Sequence, residues 1–214
     1  MSKCTSGCSP VKLNLLSRNV HGVRVLDLGA GKLHYSHWIT QHFANVSVIA
    51  VDLLDQESQS RIEYLKANLE EPLQLESESF STAVAFDVIE HLDHEFGIIS
   101  EIMRLLAPGG VLIGSVPHDD DGFLPEYNVT FYHRSDVTHK RYYTETSLTA
   151  LLSDAGFVDV EVMPEGGVSP HIFAEFFPES FRWPMKKMIG LCTRLGLLSN
   201  NRLKSDLFFI AHKK

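Results

Sequence analysis

Short apolar runs recur along the chain, each bounded by acidic or turn-forming residues. They are the start of RVLDLGAG (Arg24 to Gly31), VSVIAV (Val46 to Val51), Ile62 to Ala67, STAVAF (Ser81 to Phe86) and VLIGSV (Val111 to Val116). Runs of this length with little polar alternation predict strands covered on both faces, as in a parallel sheet. Between them the period lengthens. Ile98, Ile99, Ile102, Met103, Leu105 and Leu106 fall at helical spacing over Phe96 to Leu106, and Pro108–Gly109–Gly110 terminates that helix. Helices are also predicted over Val11 to Asn19, over Leu33 to Phe43, and from a Thr144 cap to about Ala155, closed by Gly156. Phe157 to Met163 (FVDVEVM) alternates like a half-exposed strand, and Leu207 to His212 (LFFIAH) reads as a final one. Only LLDQESQSR separates the second strand from the third, so a crossover helix there must be short or degraded.

Two stretches depart from these periods. Residues 118–143 mix His, Asp, Tyr and Arg without a repeat, and a long irregular segment inside a compact domain is typically functional or disordered. Its aromatics and His118, His133 and His139 favour a ligand-binding loop. Residues 164–205 form an insertion in which Phe181, Met185, Met188, Cys192 and Leu195 line one helical face. Arg182, Lys186, Lys187, Arg194, Arg202 and Lys204 add positive charge with no acid between Arg182 and Lys204. Two readings stay open here. The apolar face packs on the sheet, or the basic helix lies on a membrane surface or docks a phosphorylated substrate, with Trp183, Met185 and Met188 suited to an interface.

Composition narrows the class. A chain of 214 residues, 44% hydrophobic, buries one substantial core, so a single domain 1–214 with an N-terminal extension 1–22 is expected. It lacks an apolar run long enough to span a bilayer, and MSKCTSGCSP lacks the apolar core of a secretory signal, so a cytoplasmic protein is expected. Cys4, Cys8 and Cys192 suit free thiols better than a disulfide framework or a closed zinc site. The formal charge of −8 argues against a general nucleic-acid surface.

The candidate chemistry gathers at strand ends, where open parallel sheets bind ligands. Gly29 and Gly31 permit backbone angles denied to other residues and leave room for a ligand against the main chain. Asp52 ends the second strand, 21 residues beyond Gly31, where a carboxylate can accept both ribose hydroxyls of an adenosine; a helix cap or loop acid is the plainer alternative. Asn68 and Leu69 fall where an adenine is held by an amide and an apolar edge, and a turn-forming Asn fits there too. The fourth strand runs into DVIEHLDHE, placing Asp87, Glu90 and His91 on the same crevice. His91 and His94 are metal-ligand types, but at this spacing they need a third partner that the sequence does not supply, and no metal is expected.

Taken together, VLDLGAGK, VIAVD, FDVIEHL, EIMRLLAPGGVLIGSVP and RYYTETSLTALLSDAGF, followed by LFFIAHK, are collinear pieces of a pattern. The chain resembles the class I S-adenosylmethionine-dependent methyltransferases, in particular the small-molecule group whose fourth strand runs into an FDVIEHL-type motif. The resemblance implies an α/β, Rossmann-like three-layer sandwich with a seven-stranded sheet in order 3-2-1-4-5-7-6 and the last strand antiparallel. It implies S-adenosylmethionine as cofactor and S-adenosylhomocysteine as product. Asp27, Gly29 and Gly31 would hold the methionine end, Asp52 the ribose, Leu53 the adenine face, and Asn68 with Leu69 the adenine edge. Phe86, Asp87 and Val88 would wall the pocket beside the methyl. Two positions depart from the family: Leu33 stands where a third glycine is common, and Asn68 where an Asp is frequent. A dinucleotide dehydrogenase would carry a glycine at His34, and this chain does not.

Methyl transfer from a sulfonium needs an acceptor held in line and, for a hydroxyl, removal of its proton. His91 is the first candidate base and a structural His91 the equal alternative; His118 and His139 are reserves on the acceptor loop 118–143. The expected partner is a small-molecule acceptor, through a hydroxyl oxygen on a sugar, a lipid-linked intermediate or another metabolite, with a peripheral membrane or phosphorylated-substrate contact open for 181–204. The rival readings are a catalytically degenerate scaffold subunit of the same fold and an NAD-dependent enzyme on a related sheet.

Overall fold

The computed structural model describes residues 8–122, 125, 131–166, 177–195 and 204–214. Cys4, Arg202 and the remaining parts of the expected N-terminal extension, acceptor loop and insertion lie outside the described residues. In chain order the elements are α1 (Pro10–Asn19), β1 (Arg24–Leu28), α2 (His34–His42), β2 (Ser47–Asp52), β3 (Ile62–Lys66), β4 (Phe80–Phe86), a single 3-10 turn (Ile89–His91) and α3 (Glu95–Leu105). There follow β5 (Leu106–Pro117), a second 3-10 turn (Tyr132–Ser135), α4 (Glu145–Asp154), β6 (Val158–Glu165), α5 (Glu179–Arg194) and β7 (Asp206–His212). The strands form one sheet in the expected order β3-β2-β1-β4-β5-β7-β6. β1 pairs in parallel with β2 and β4, and β7 runs antiparallel to both β5 and β6.

The double-sided burial that the apolar runs predict is what builds three layers. On β1, Val25 packs into one apolar cluster with Trp38 and Ile39 of α2, while Leu26 and Leu28 pack into the other with Ile99 and Ile102 of α3 and Leu148 and Leu152 of α4. β5 divides the same way, with Leu112 on one side and Val111 and Ile113 on the other. Each such side chain contributes about 1.5–3 kcal/mol on burial, so the two clusters fix the register of the central strands. The Thr144 cap is reciprocal: Ser147 N–H donates to Thr144 Oγ1 at 3.1 Å and Thr144 N–H to Ser147 Oγ at 3.0 Å.

Three expectations are corrected. Leu106 begins β5 instead of ending α3, because it pairs with Phe80; Pro108–Gly109–Gly110 lie within the strand, where Gly109 N–H donates to the Lys213 carbonyl and Lys213 N–H to that of Gly110. On β6 the expected alternation is imperfect, since the register shifts between Val158 and Glu161. On α5, Phe181, Met188 and Leu195 are exposed, and the inward face is centred on buried Ile189 with half-buried Met185 and Cys192. The predicted stripe therefore shares Met185 and Cys192 with the face that packs and is rotated from it by about 50°, half a residue step. The crossover between β2 and β3 has no helix. Arg61 fills its place, donating to the carbonyls of Thr40, Phe43, Ala44 and Val46 at the end of α2. Among the described residues no helix is long and apolar enough to cross a membrane.

Candidate active site

The turn after β1 is shaped by close approach. Gly29 has φ +65°, and a Cβ there would stand 2.3 Å from Val88 Cγ2, so both angle and space require glycine. Its N–H and that of Ala30 donate to the Val51 carbonyl at 2.8 and 3.1 Å. Gly31, at φ +50°, faces open space and donates its N–H to Asp52 Oδ2 at 2.8 Å, while Leu54 N–H donates to Asp52 Oδ1 at 3.0 Å. The carboxylate therefore ties the glycine turn to the end of β2. Leu33, where the family's third glycine would fall, does adopt a left-handed φ of 61°. Its side chain is 1% exposed, and that burial offsets a left-handed penalty of about 1–2 kcal/mol.

A cleft of about 220 Å³ opens at these strand ends, lined by Gly29, Asp52, Leu53, Ala67, Asn68, Leu69, Asp87, Val88, His91 and Leu92. Seven of the ten residues expected to bind cofactor are gathered there. Asp27, Gly31 and Phe86 are not on the lining: Phe86 is buried against Tyr35, ring centroids 5.0 Å apart, and Asp27 lies beneath the turn with Oδ2 accepting from Ser36 Oγ at 2.5 Å. Burial pushes the Asp27 carboxyl up to about 6 against the opposing effect of Ser36, and the neighbouring Asp52 charge adds to the rise. Asn68 lines the cleft and also makes a turn, its Oδ1 accepting from Glu70 N–H at 3.1 Å. Both sequence readings of Asn68 are therefore compatible.

Asp87 sits at φ +55° with Oδ1 accepting from Ser115 Oγ at 2.6 Å and Oδ2 paired with Lys12 Nζ. Lys12 is the residue that sequence reasoning missed. It is buried in α1, its ammonium 5.1 Å from the Phe86 ring centroid and 5.9 Å from that of Tyr35. The available signal was position: Lys12 lies one turn before buried Leu16, on the helix face that packs inward.

Beyond Asp87 the 3-10 turn carries Glu90 and His91, and the loop after β5 folds back on it. Lys140 N–H donates to the Glu90 carbonyl at 2.9 Å, the Lys140 ammonium pairs with Asp93 at 2.5 Å, and Arg141 pairs with Glu95. This strap brings His139 to His91, ring centroids 4.6 Å apart. Glu90 is fully buried, its carboxyl raised to about 8 by burial. Burial likewise lowers His139 and His133, favouring neutral imidazoles. His118 is elsewhere: Nδ1 is 3.0 Å from the Lys204 carbonyl and Nε2 3.4 Å from Glu145 Oε2, and it does not line the cleft. Its ring joins the ends of β5, α4 and β7. His94 takes no part in the cluster; its N–H donates to Glu70 Oε2 at 3.3 Å.

The comparisons bear on the family and the fold. Residues 6–162 match the model of a methyltransferase domain family. A probable S-adenosylmethionine-dependent methyltransferase of Mycobacterium tuberculosis is 38% identical over 104 residues, which are 47% of this chain and 34% of that protein. The match thus spans about a third of the length of that curated relative. Among solved structures, a SAM-dependent methyltransferase from Archaeoglobus fulgidus is similar in fold with a TM-score of 0.67 and 19% identity, over 97% of this chain and 96% of that one. Phosphoethanolamine N-methyltransferase 2 of Haemonchus contortus, solved with S-adenosyl-L-methionine, gives a TM-score of 0.66 and 20% identity over 97% of this chain and 53% of its own.

Proposed function

The chain belongs to the methyltransferase domain family, and from that premise we propose that it transfers a methyl group from S-adenosylmethionine to a hydroxyl oxygen of a small-molecule acceptor. The observation that carries the reading is the joining, in one cleft, of the Gly29 turn, the Asp52 carboxylate, the apolar walls of Leu53, Leu69 and Val88, and the His91 ring. These residues fit a nucleoside. Asp52 retains acceptor capacity beyond its two backbone donors, because an ionised carboxylate offers about four lone-pair sites. Leu53 and Leu69 give the adenine an apolar bed, and the Asn68 amide is placed to read its edge. Asp27, close behind the turn, supplies a negative field for the amino group of the methionine part.

When bound, the cofactor supplies a methyl group on a positively charged sulfur; the protein has to place and deprotonate the acceptor. Asp87, fixed between Lys12 and Ser115, holds the wall beside the methyl. His91 lies further along the same wall, where an acceptor hydroxyl would present its proton, and Thr138 of the strap holds its ring through Nδ1. Holding the two reactants in line inside a walled cleft is the main catalytic contribution. The acceptor is a sugar, a lipid-linked intermediate or another metabolite; the exposed basic α5 favours one that is phosphorylated or membrane-borne.

Calorimetric titration with S-adenosylmethionine, S-adenosylhomocysteine and NAD tests this. Binding of both sulfur nucleotides without NAD is expected. Binding of neither makes a degenerate scaffold of the same fold the better reading, and NAD alone means that the glycine turn serves a dinucleotide.

A further inference from the structure

Glu90 poses a problem that methyl transfer does not solve. Its side chain is 0% exposed, yet neither carboxylate oxygen has a hydrogen-bond partner. A buried, unpartnered carboxylate is expensive, and proteins retain one chiefly where a cation or a proton meets it. Two imidazoles stand beside it, His91 with Nε2 3.9 Å from Glu90 Oε1 and His139 with a buried Nδ1 that has no partner, while the charges of Asp87, Lys12 and Asp206 act on it from further away. One ligand atom from each of Glu90, His91 and His139 can be chosen so that all three lie within 4.8 Å of one another.

We propose that Glu90, His91 and His139 form a binding site for a divalent transition-metal ion at the acceptor end of the cleft. The second layer is already built for ligation. His91 Nδ1 is engaged by Thr138, whose carbonyl lies at 3.3 Å and hydroxyl at 3.0 Å, which turns Nε2 toward Glu90. His139 Nε2 stands 3.6 Å from Asp136 Oδ2, leaving Nδ1 for the ion, and Asp136 Oδ1 is itself held by the Thr138 hydroxyl and N–H. A carbonyl and a carboxylate behind the two rings are the usual outer partners of metal-bound histidines, fixing tautomer and orientation. Two imidazoles and one carboxylate suit Zn, Fe, Mn, Co or Ni better than Mg or Ca, and three protein ligands leave positions open to the cleft that His91 also lines. The closing movement needed is modest, because ligand atoms around one such ion stand about 3–4 Å apart at bond lengths near 2.1 Å.

This site rests on the methyl-transfer reading only for what it does. An acceptor oxygen on the ion loses its proton to solvent more readily. The resulting oxyanion forms the new O–C bond as the C–S bond breaks, and the C–S electron pair leaves with sulfur as a neutral thioether. His91 then acts through the ion and not as a free base.

The test uses untagged, chelator-treated protein titrated with Co²⁺, followed by visible absorption, and with Zn²⁺, followed by calorimetry. One equivalent should bind, and Glu90→Gln and His139→Ala, which each remove a ligand, should weaken binding by more than the roughly 10–100-fold that loss of an outer partner costs, while still binding S-adenosylhomocysteine. Without any variant, Co²⁺ should shift the imidazole proton resonances of His91 and His139 and leave those of His118 and His34 in place. Absence of binding at stoichiometric Co²⁺, equal binding by both variants, or shifts centred on other histidines would overturn the site. Metal binding without S-adenosylhomocysteine binding would leave the site standing and remove the methyl-transfer reading.

Discussion

Asp52 carries the heaviest single load in the proposed cofactor site, and Asp52→Ala measures it. The free protein already uses both of its oxygens, one for Gly31 N–H at 2.8 Å and one for Leu54 N–H at 3.0 Å. A bound ribose adds two hydroxyl donors to a charged acceptor, each contributing about 1.5–3 kcal/mol. Part of that gain is lost in rearranging the two backbone donors, so the lower end, about 3 kcal/mol in total, is the better figure. At about 1.4 kcal/mol per tenfold, Asp52→Ala should weaken S-adenosylhomocysteine binding by roughly 100-fold. Asp52→Asn keeps one carbonyl acceptor without the charge and should weaken it by roughly tenfold. Because the alanine variant also frees Gly31 N–H, its melting temperature should fall by about 2–4 °C, the equivalent of about 1 kcal/mol in a chain of this size. The assay is calorimetric titration at constant pH, with circular dichroism to show that the fold is retained. An alanine variant that folds and binds as the parent does would refute the ribose assignment, since no other acid lines the cleft on that side.

Four further outcomes follow from the same geometry. Asp27, raised from 3.8 to about 6, keeps a proton in the folded state that the unfolded chain has lost, so the ligand-free protein should lose stability, about 3 kcal/mol in all, as pH rises from 4 to 6 and no further above that range. Asp27→Asn should flatten this slope in pH-dependent melts, and in the parent the affinity for S-adenosylmethionine should rise through pH 6 as the carboxylate forms. Leu33→Gly relieves the left-handed angle but empties a fully buried site, and the cavity should dominate with a net loss of about 2 kcal/mol in chemical denaturation; a stabilised variant would mean that strain is the larger effect. Lys12→Met should cost about 1–2 kcal/mol, kept small because the Asp87 side chain is 48% exposed and water replaces the ammonium; in a double-mutant cycle with Asp87→Asn, a coupling of zero would show the pair to be idle. His118→Gln should lower the melting temperature and leave the pH profile of turnover unchanged, since its ring nitrogens face Lys204 and Glu145, away from the cleft.

What could be read from the sequence was whatever a single strand end determines. Asp52, Gly29 and Val88 are placed by their own strands and turns, so the spacing from Gly31 to Asp52 and the strand leading into Asp87 sufficed to bring them to one cleft. What could not be read was set by segments that reach the site from a distance. Lys12 belongs to a helix whose pattern says only that Leu16 is inside, and nothing local states that an ammonium in the same stripe will meet a carboxylate 75 residues later. The same holds for the imidazoles. His91 and His94 are neighbours in sequence, which made His94 the obvious partner, yet the 3-10 turn ends at His91, and His94, whose backbone N–H is held by Glu70, is not in the cluster. The true neighbour, His139, is delivered by Lys140 and Arg141 gripping Asp93 and Glu95, an ion-paired strap that leaves no periodic trace. Leu33 shows the converse: in sequence it is a departure from the family's glycine, and in the fold it takes a left-handed angle that glycine favours while anchoring α2 in the core. A motif therefore constrains the backbone path more tightly than the residue type, and a departure from the family's residue is informative only once its φ and its burial are known together.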